Sequence, residues 1–191
     1  HEILLRVENF KKPVVVCIHG SCMGGGTELA LASHYRIVSD HSDTKIALPE
    51  VKLGLLPGMG GTQRLPRLIG LQKSLPYLLT GKTMYPRQAR KTGFANEIVH
   101  RYALKSAGID AVHHLVKNTA PQLDRRSLPE KLLEGNPLGR KIIFDQARKQ
   151  TLGQTKGNYP APLRIIDSVE FGYKNGFDKG IRNESKLFGE L

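Results

Sequence analysis

Two glutamates and a cluster of glycines are the residues of this chain best placed to do chemistry. Gly24-Gly25-Gly26 lies between a β-branched run at 13–18 and a helix-forming run at 27–33, with Glu28 one turn into the helix. Glycine lets the backbone approach a ligand closely, and a helix N-terminus offers unpaired N–H groups to negative charge. Such a turn can cradle a phosphate or form an oxyanion hole. The phosphate use lacks its usual signature, because Gly20-Ser21-Cys22-Met23-Gly24-Gly25 carries no Lys and no GxGxxG occurs. For the oxyanion use, a first-turn glycine N–H would face a carbonyl oxygen that turns negative in the transition state.

Glu50 follows Pro49 at the end of a short strand and precedes a glycine-rich loop, a position held by a rigid element yet facing a cleft. Two carboxylates on one substrate can divide acid and base work if their surroundings separate their pKa values. On spacing alone, Glu28 reads equally as a first-turn acid favoured by the helix dipole, and Glu50 as a solvated loop acid. Serine chemistry has little support, since Ser21 is not in GxSxG and His19 beside it reads as a strand-end residue with a satisfied hydrogen bond. No His or Cys spacing suits a metal, and Cys17 and Cys22 read as two reduced thiols.

The elements that must position these residues alternate. Strands are expected at 13–18, 35–39 and 45–48, a helix at 27–33, and a loop from Gly54 to Gly61, the pattern of an α/β chain. Helices are expected near 62–69 and 71–80, each with a proline to end or kink it, then at 86–92 with Gly93 as its stop. Further helices are expected at 102–117, 138–151, 160–174 and 177–189. The polar, proline-dotted stretch 118–136 reads as an insertion or linker, which divides the chain into a core, 1–117, and an insertion with a helical region, 118–191.

The formal charge is +12, and residues 51–96 hold eight basic and no acidic side chains. A local positive field of this kind favours a phosphorylated ligand or a polyanion. Nucleic acid is not expected as a partner, because recognition motifs and interleaved aromatics are missing. No apolar run approaches the ~20 residues that cross a bilayer, so no transmembrane segment is expected, and the cytoplasm is the expected location.

The order of residues from Ile18 through His19-Gly20 and Gly24-Gly25-Gly26-Thr27-Glu28 to Ala30 resembles the active-site segment of the crotonase (enoyl-CoA hydratase/isomerase) superfamily. The run from Leu48 to Gly70, with Pro49-Glu50-Val51, Leu56-Pro57-Gly58 and Gly60-Gly61-Thr62-Gln63-Arg64-Leu65-Pro66, resembles that family's hallmark stretch more closely still. Further along, 137–140, 154–162 and 188–191 resemble the hydratase region of multifunctional fatty-acid oxidation alpha subunits.

The resemblance implies an α/β crotonase-like (ClpP/crotonase) spiral fold followed by C-terminal helices, with the family's upstream, N-terminal half absent from these residues. That half supplies the second oxyanion N–H and much of the CoA pocket. It implies 2-enoyl-CoA hydratase and Δ3-Δ2-enoyl-CoA isomerase activity in fatty-acid β-oxidation, on an acyl-CoA thioester. Glu28 would hold and activate the water, Glu50 would exchange the proton at Cα, Gly25 would donate to the thioester oxygen, and Gly58 would lie beside the substrate. No cofactor is implied in this chain, CoA being part of the substrate and NAD serving only a dehydrogenase region outside it. A thiolase beta subunit is the implied partner of the parent complex. The alternative is a catalytically incomplete piece acting only as a structural or assembly module.

Overall fold

A computed structural model describes residues 1–120 and 124–191. The chain opens with α1 (Glu2–Glu8), then β1 (Val15–Ile18), β2 (Ser21–Met23) and α2 (Gly25–Ala32). β3 (Tyr35–Ser39), β4 (Lys45–Ala47) and a 3-10 turn, Pro49–Leu53, follow. Next come α3 (Gly61–Ile69), α4 (Leu71–Thr80), α5 (Pro86–Thr92), β5 (Glu97–Val99) and, after a second 3-10 turn at Arg101–Ala103, α6 (Leu104–Lys117). α7 (Leu128–Gly135), α8 (Pro137–Thr155), α9 (Ala161–Asn175) and α10 (Phe177–Phe188) complete it.

The strands form two parallel sheets, β1-β3-β5 and β2-β4. Val15 lies opposite Tyr35 in the first and Ser21 opposite Lys45 in the second. Each passage of the chain therefore adds one strand to each sheet before a helix carries it back, a spiral in which the 40–44 loop lengthens only the second passage. β3 is buried along its whole length, as a central strand rich in β-branched residues should be. Its Ile37 and Tyr35 meet Leu104 and Leu115 of α6 in a small second core. The main core joins Ile18, Val38, Ile46 and Leu65 to Phe144, Ile165, Val169 and Leu187, so residues on both sides of 117 share one apolar interior.

Three sequence expectations needed correction. α3 and α4 reach their expected ends, Ile69 and Thr80, and stop at Gly70 (φ 93°) and Gly81 (φ 60°), so of the two effects expected of Pro66 and Pro76 only the ending of a helix is ruled out. A proline removes one hydrogen bond, but Leu65, Ile69, Leu71, Leu75 and Leu78 are buried in the core and hold both helices together. Secondly, 118–136 is not linker throughout, since α7 occupies 128–135. The Ser127 hydroxyl accepts the Glu130 amide while the Glu130 carboxylate accepts the Ser127 amide, a capping box that starts the helix; residues 121–123 of that stretch lie outside the described residues. Thirdly, α1, β2 and β5 are additional short elements.

Some of the basic field is structural. The Arg64 guanidinium bonds Glu8 (2.9 Å) and the Met59 carbonyl (2.9 Å), Arg67 bonds the Gln63 and Gly172 carbonyls, and Lys73 pairs with Glu130. Among the described residues no helix is long and apolar enough to cross a membrane.

Candidate active site

The site begins at the N-terminus of α2. Gly24 caps the helix at φ 55°, ψ −124°, a conformation that side chains disfavour. A Cβ there would also stand 3.2 Å from Glu50 Oε1. Its amide donates to the Ala47 carbonyl at 2.9 Å, and the Thr27 hydroxyl lies 2.8 Å from the carbonyls of both Cys22 and Ala47. α2 is thus pinned to β2 and β4 by its first turn. Gly25 takes the first helical position, whose N–H no carbonyl of the helix can reach.

Glu28 is 2% exposed. Its Oε1 accepts the Met59 amide at 2.7 Å and the Gly61 amide at 2.8 Å. Burial pushes its pKa up, against the opposing pull of the Gly61 and Met59 amides and the Arg64 charge. Gly61 has to be glycine for this approach, because a Cβ would lie 2.7 Å from Pro57 Cβ and 3.0 Å from Glu28 Oε1.

Glu50 sits in the first turn of the 3-10 segment that Pro49 opens. The segment is clamped from the far end of the chain: the Tyr159 hydroxyl accepts the Gly54 amide at 2.8 Å and donates to the Val51 carbonyl. Glu50 Oε2 is buried with no hydrogen-bond partner among the described residues. Burial raises its pKa to about 7, the Glu28 charge adding to the rise and its own backbone amide opposing it.

The structure therefore brings Glu28, Glu50 and Gly25 to one place, the open end of α2. Gly58 lies in the adjoining loop, packed against the Phe188 ring so closely that a Cβ would come within 2.9 Å of it. His19 is exposed at the end of β1, its Nδ1 2.9 Å from Ser39 Oγ. No group of three or more His, Cys, Asp or Glu side chains among the described residues is arranged to hold a metal.

Sequence reasoning missed one acidic residue here. Glu184 of α10 is fully buried; it accepts the Gly60 amide at 2.6 Å, the Thr62 amide at 3.0 Å and the Thr62 hydroxyl. Burial pushes its pKa up, while the Thr62 hydroxyl and the Gly60 and Thr62 amides oppose the rise. A signal was present, since Gly180, Ile181, Glu184 and Leu187 share the buried face of an amphipathic helix, where an acid needs dedicated donors.

The family model for enoyl-CoA hydratase/isomerase matches residues 1–134. The chain belongs to the enoyl-CoA hydratase/isomerase family. It is 50% identical over its full 191 residues to a fatty acid oxidation complex subunit alpha from Shewanella amazonensis, and 48% identical to one from Shewanella putrefaciens. It spans 27% of the length of each of these relatives. Among solved structures, enoyl-CoA hydratase from Bacillus anthracis matches the whole chain with TM-score 0.58 and 23% identity, the match covering 58% of that protein. Enoyl-CoA hydratase from Thermoplasma volcanium matches it with TM-score 0.54 and 23% identity, over 59% of its length. Both likenesses support the crotonase fold, and the spiral of paired strands is the part of that fold this chain contains.

Proposed function

We propose that these residues are the hydratase region of a multifunctional fatty-acid oxidation alpha subunit, adding water to a 2-enoyl-CoA and shifting the double bond of a 3-enoyl-CoA. The observation that carries this reading is the unpartnered Oε2 of Glu50 beside the amide-bonded Glu28 at the open end of α2. Burial holds Glu50 near pKa 7, so it can both give and take a proton at neutral pH. Glu28, anchored through one oxygen, has the other available to hold a water.

In hydration the water oxygen bonds to Cβ as its proton passes to Glu28, and the Cα–Cβ π pair moves toward the thioester, whose oxygen becomes an enolate. The Gly25 N–H, without a helical acceptor, is placed to stabilise that charge, a contribution of roughly 3–4 kcal/mol for one such donor. The enolate collapses as Glu50 delivers its proton to Cα, leaving a 3-hydroxyacyl-CoA. For isomerisation, Glu50 takes a proton from Cα of the 3-enoyl thioester and returns it to the γ carbon along the same face, without water. Gly58, in the adjoining loop, would lie beside the water and substrate.

Neither reaction calls for a cofactor in these residues. NAD would serve a 3-hydroxyacyl-CoA dehydrogenase region elsewhere in the parent subunit, and a thiolase beta subunit would complete the complex, in the cytoplasm. The second N–H for the oxyanion would come from residues outside this chain. The test is the loss of enoyl-thioester absorbance on mixing the chain with a medium-chain trans-2-enoyl-CoA. Turnover that vanishes in Glu50→Gln supports the reading, whereas turnover that survives the substitution sinks the assignment of Glu50.

A further inference from the structure

Entering α3, four consecutive amides are shared alternately between two carboxylates: Met59 and Gly61 donate to Glu28, Gly60 and Thr62 to Glu184. Peptide groups are planar and neighbours share one Cα, so fixing the Gly60 and Thr62 planes leaves the Gly61 plane between them little freedom to turn. Glu184 is itself firmly held. Its Oε2 also receives the Thr62 hydroxyl, which lies 2.8 Å from Ser168 Oγ on α9, and Ile181 and Leu187 anchor its helix in apolar surroundings. The chemistry above makes no use of this buried carboxyl.

We propose that Glu184 is a positioning residue for Glu28. From the far side of the 59–62 loop it aims the Met59 and Gly61 amides at Glu28 Oε1, and so fixes Oε2 as the oxygen that meets water. The catalytic half of this proposal rests on the hydratase reading; the aiming of the amides stands independently of it. Phe188, one turn beyond Glu184, packs on Gly58 at the head of the same loop, so α10 reaches the loop at two points.

The test compares the wild-type chain with Glu184→Gln, Glu184→Asp and Ser168→Ala by two readouts: NMR-detected exchange of the Met59 and Gly61 amide protons, and hydration kinetics. Gln keeps the volume but turns an NH2 toward a site already filled with donors. Exchange at Met59 and Gly61 should then rise about tenfold while β3 stays protected. In the same variant kcat should fall about tenfold or more, with KM held within about twofold, as expected for a misaimed catalytic group. Ser168→Ala removes a neighbour of the Thr62 hydroxyl but leaves Glu184 all three of its donors from Gly60 and Thr62, and should leave both readouts near wild type.

Unchanged exchange at Met59 and Gly61 in folded Glu184→Gln overturns the proposal, and so does an equal loss of kcat in Ser168→Ala. Should Glu184→Gln fail to fold, Glu184→Asp decides by the same readouts, because it keeps both acceptor oxygens but sets them back by one methylene. Faster exchange at the two amides in a chain that is inactive in every form would sink the hydratase reading and leave the aiming intact.

Discussion

Around Glu28 the protein aims two loop amides; around Glu50 it supplies burial and leaves one carboxylate oxygen without a donor. The first carboxylate takes two backbone amides and feels the Arg64 charge. The second has an oxygen with no partner and a pKa near 7. Burial raises the pKa of both, so burial alone does not distinguish them. The number of N–H groups aimed at each does, and this is how two identical side chains a few ångströms from one helix end acquire different duties.

Replacing the unsatisfied member should have the largest effect. Glu50→Gln should lower turnover on a 2-enoyl-CoA by about 10²-fold or more, in the range of a lost acid–base group, measured as initial rates of absorbance loss. Comparable turnover in the two proteins would break the contrast at its root.

The pH dependence comes next. Hydration takes one proton from water and returns one to carbon, so the carboxyl pair must hold a single proton whichever way the reaction runs. kcat/KM should therefore fall as pH rises through about 7, where Glu50 ionises. Because the overall reaction releases no proton, the fall should be the same in hydration and dehydration. A profile flat to pH 9 would contradict the assignment.

Stability should separate the two carboxylates in opposite directions. Glu28→Ala strands two amides and should cost about 1–3 kcal/mol. For Glu50 the sign reverses: its folded pKa, about 7, exceeds the ordinary value of 4.5. The fold therefore binds the proton more tightly than the unfolded chain, and stability is lost as pH rises between those values. Glu50→Gln should raise the melting temperature at pH 8 by a few degrees, on the order of 1–2 kcal/mol after allowing for its partial exposure, and do little at pH 4. Thermal melts at the two pH values read this directly. The smallest effect is expected from Tyr159→Phe, which frees the Gly54 amide and Val51 carbonyl behind Glu50. About a few-fold loss of kcat, with roughly 1 kcal/mol of stability, should follow.

What the sequence disclosed about this site follows the range of the forces involved. The strand, glycine turn and helix around Gly24 and Glu28 are fixed by neighbours in the chain, and β3, α5 and the Gly93 stop fell where local rules put them. The braces were not visible that way, since Glu184 meets Gly60 across 124 positions and Tyr159 meets Val51 across 108. α3 and α4 kept their expected ends beyond Pro66 and Pro76, because packing outweighs one missing hydrogen bond. At α7 the Ser127 to Glu130 capping pattern was present, but polar composition obscured it.

The distance between Thr62 and Glu184 has a consequence in time. A ribosome that adds about 5–20 residues per second reaches α10 on the order of ten seconds after the loop. Through that interval Gly60 and Thr62 have no carboxylate to receive their amides, and water or a chaperone must stand in. Glu28 and its loop are made first, and the helix that aims that carboxylate follows only after more than a hundred further residues.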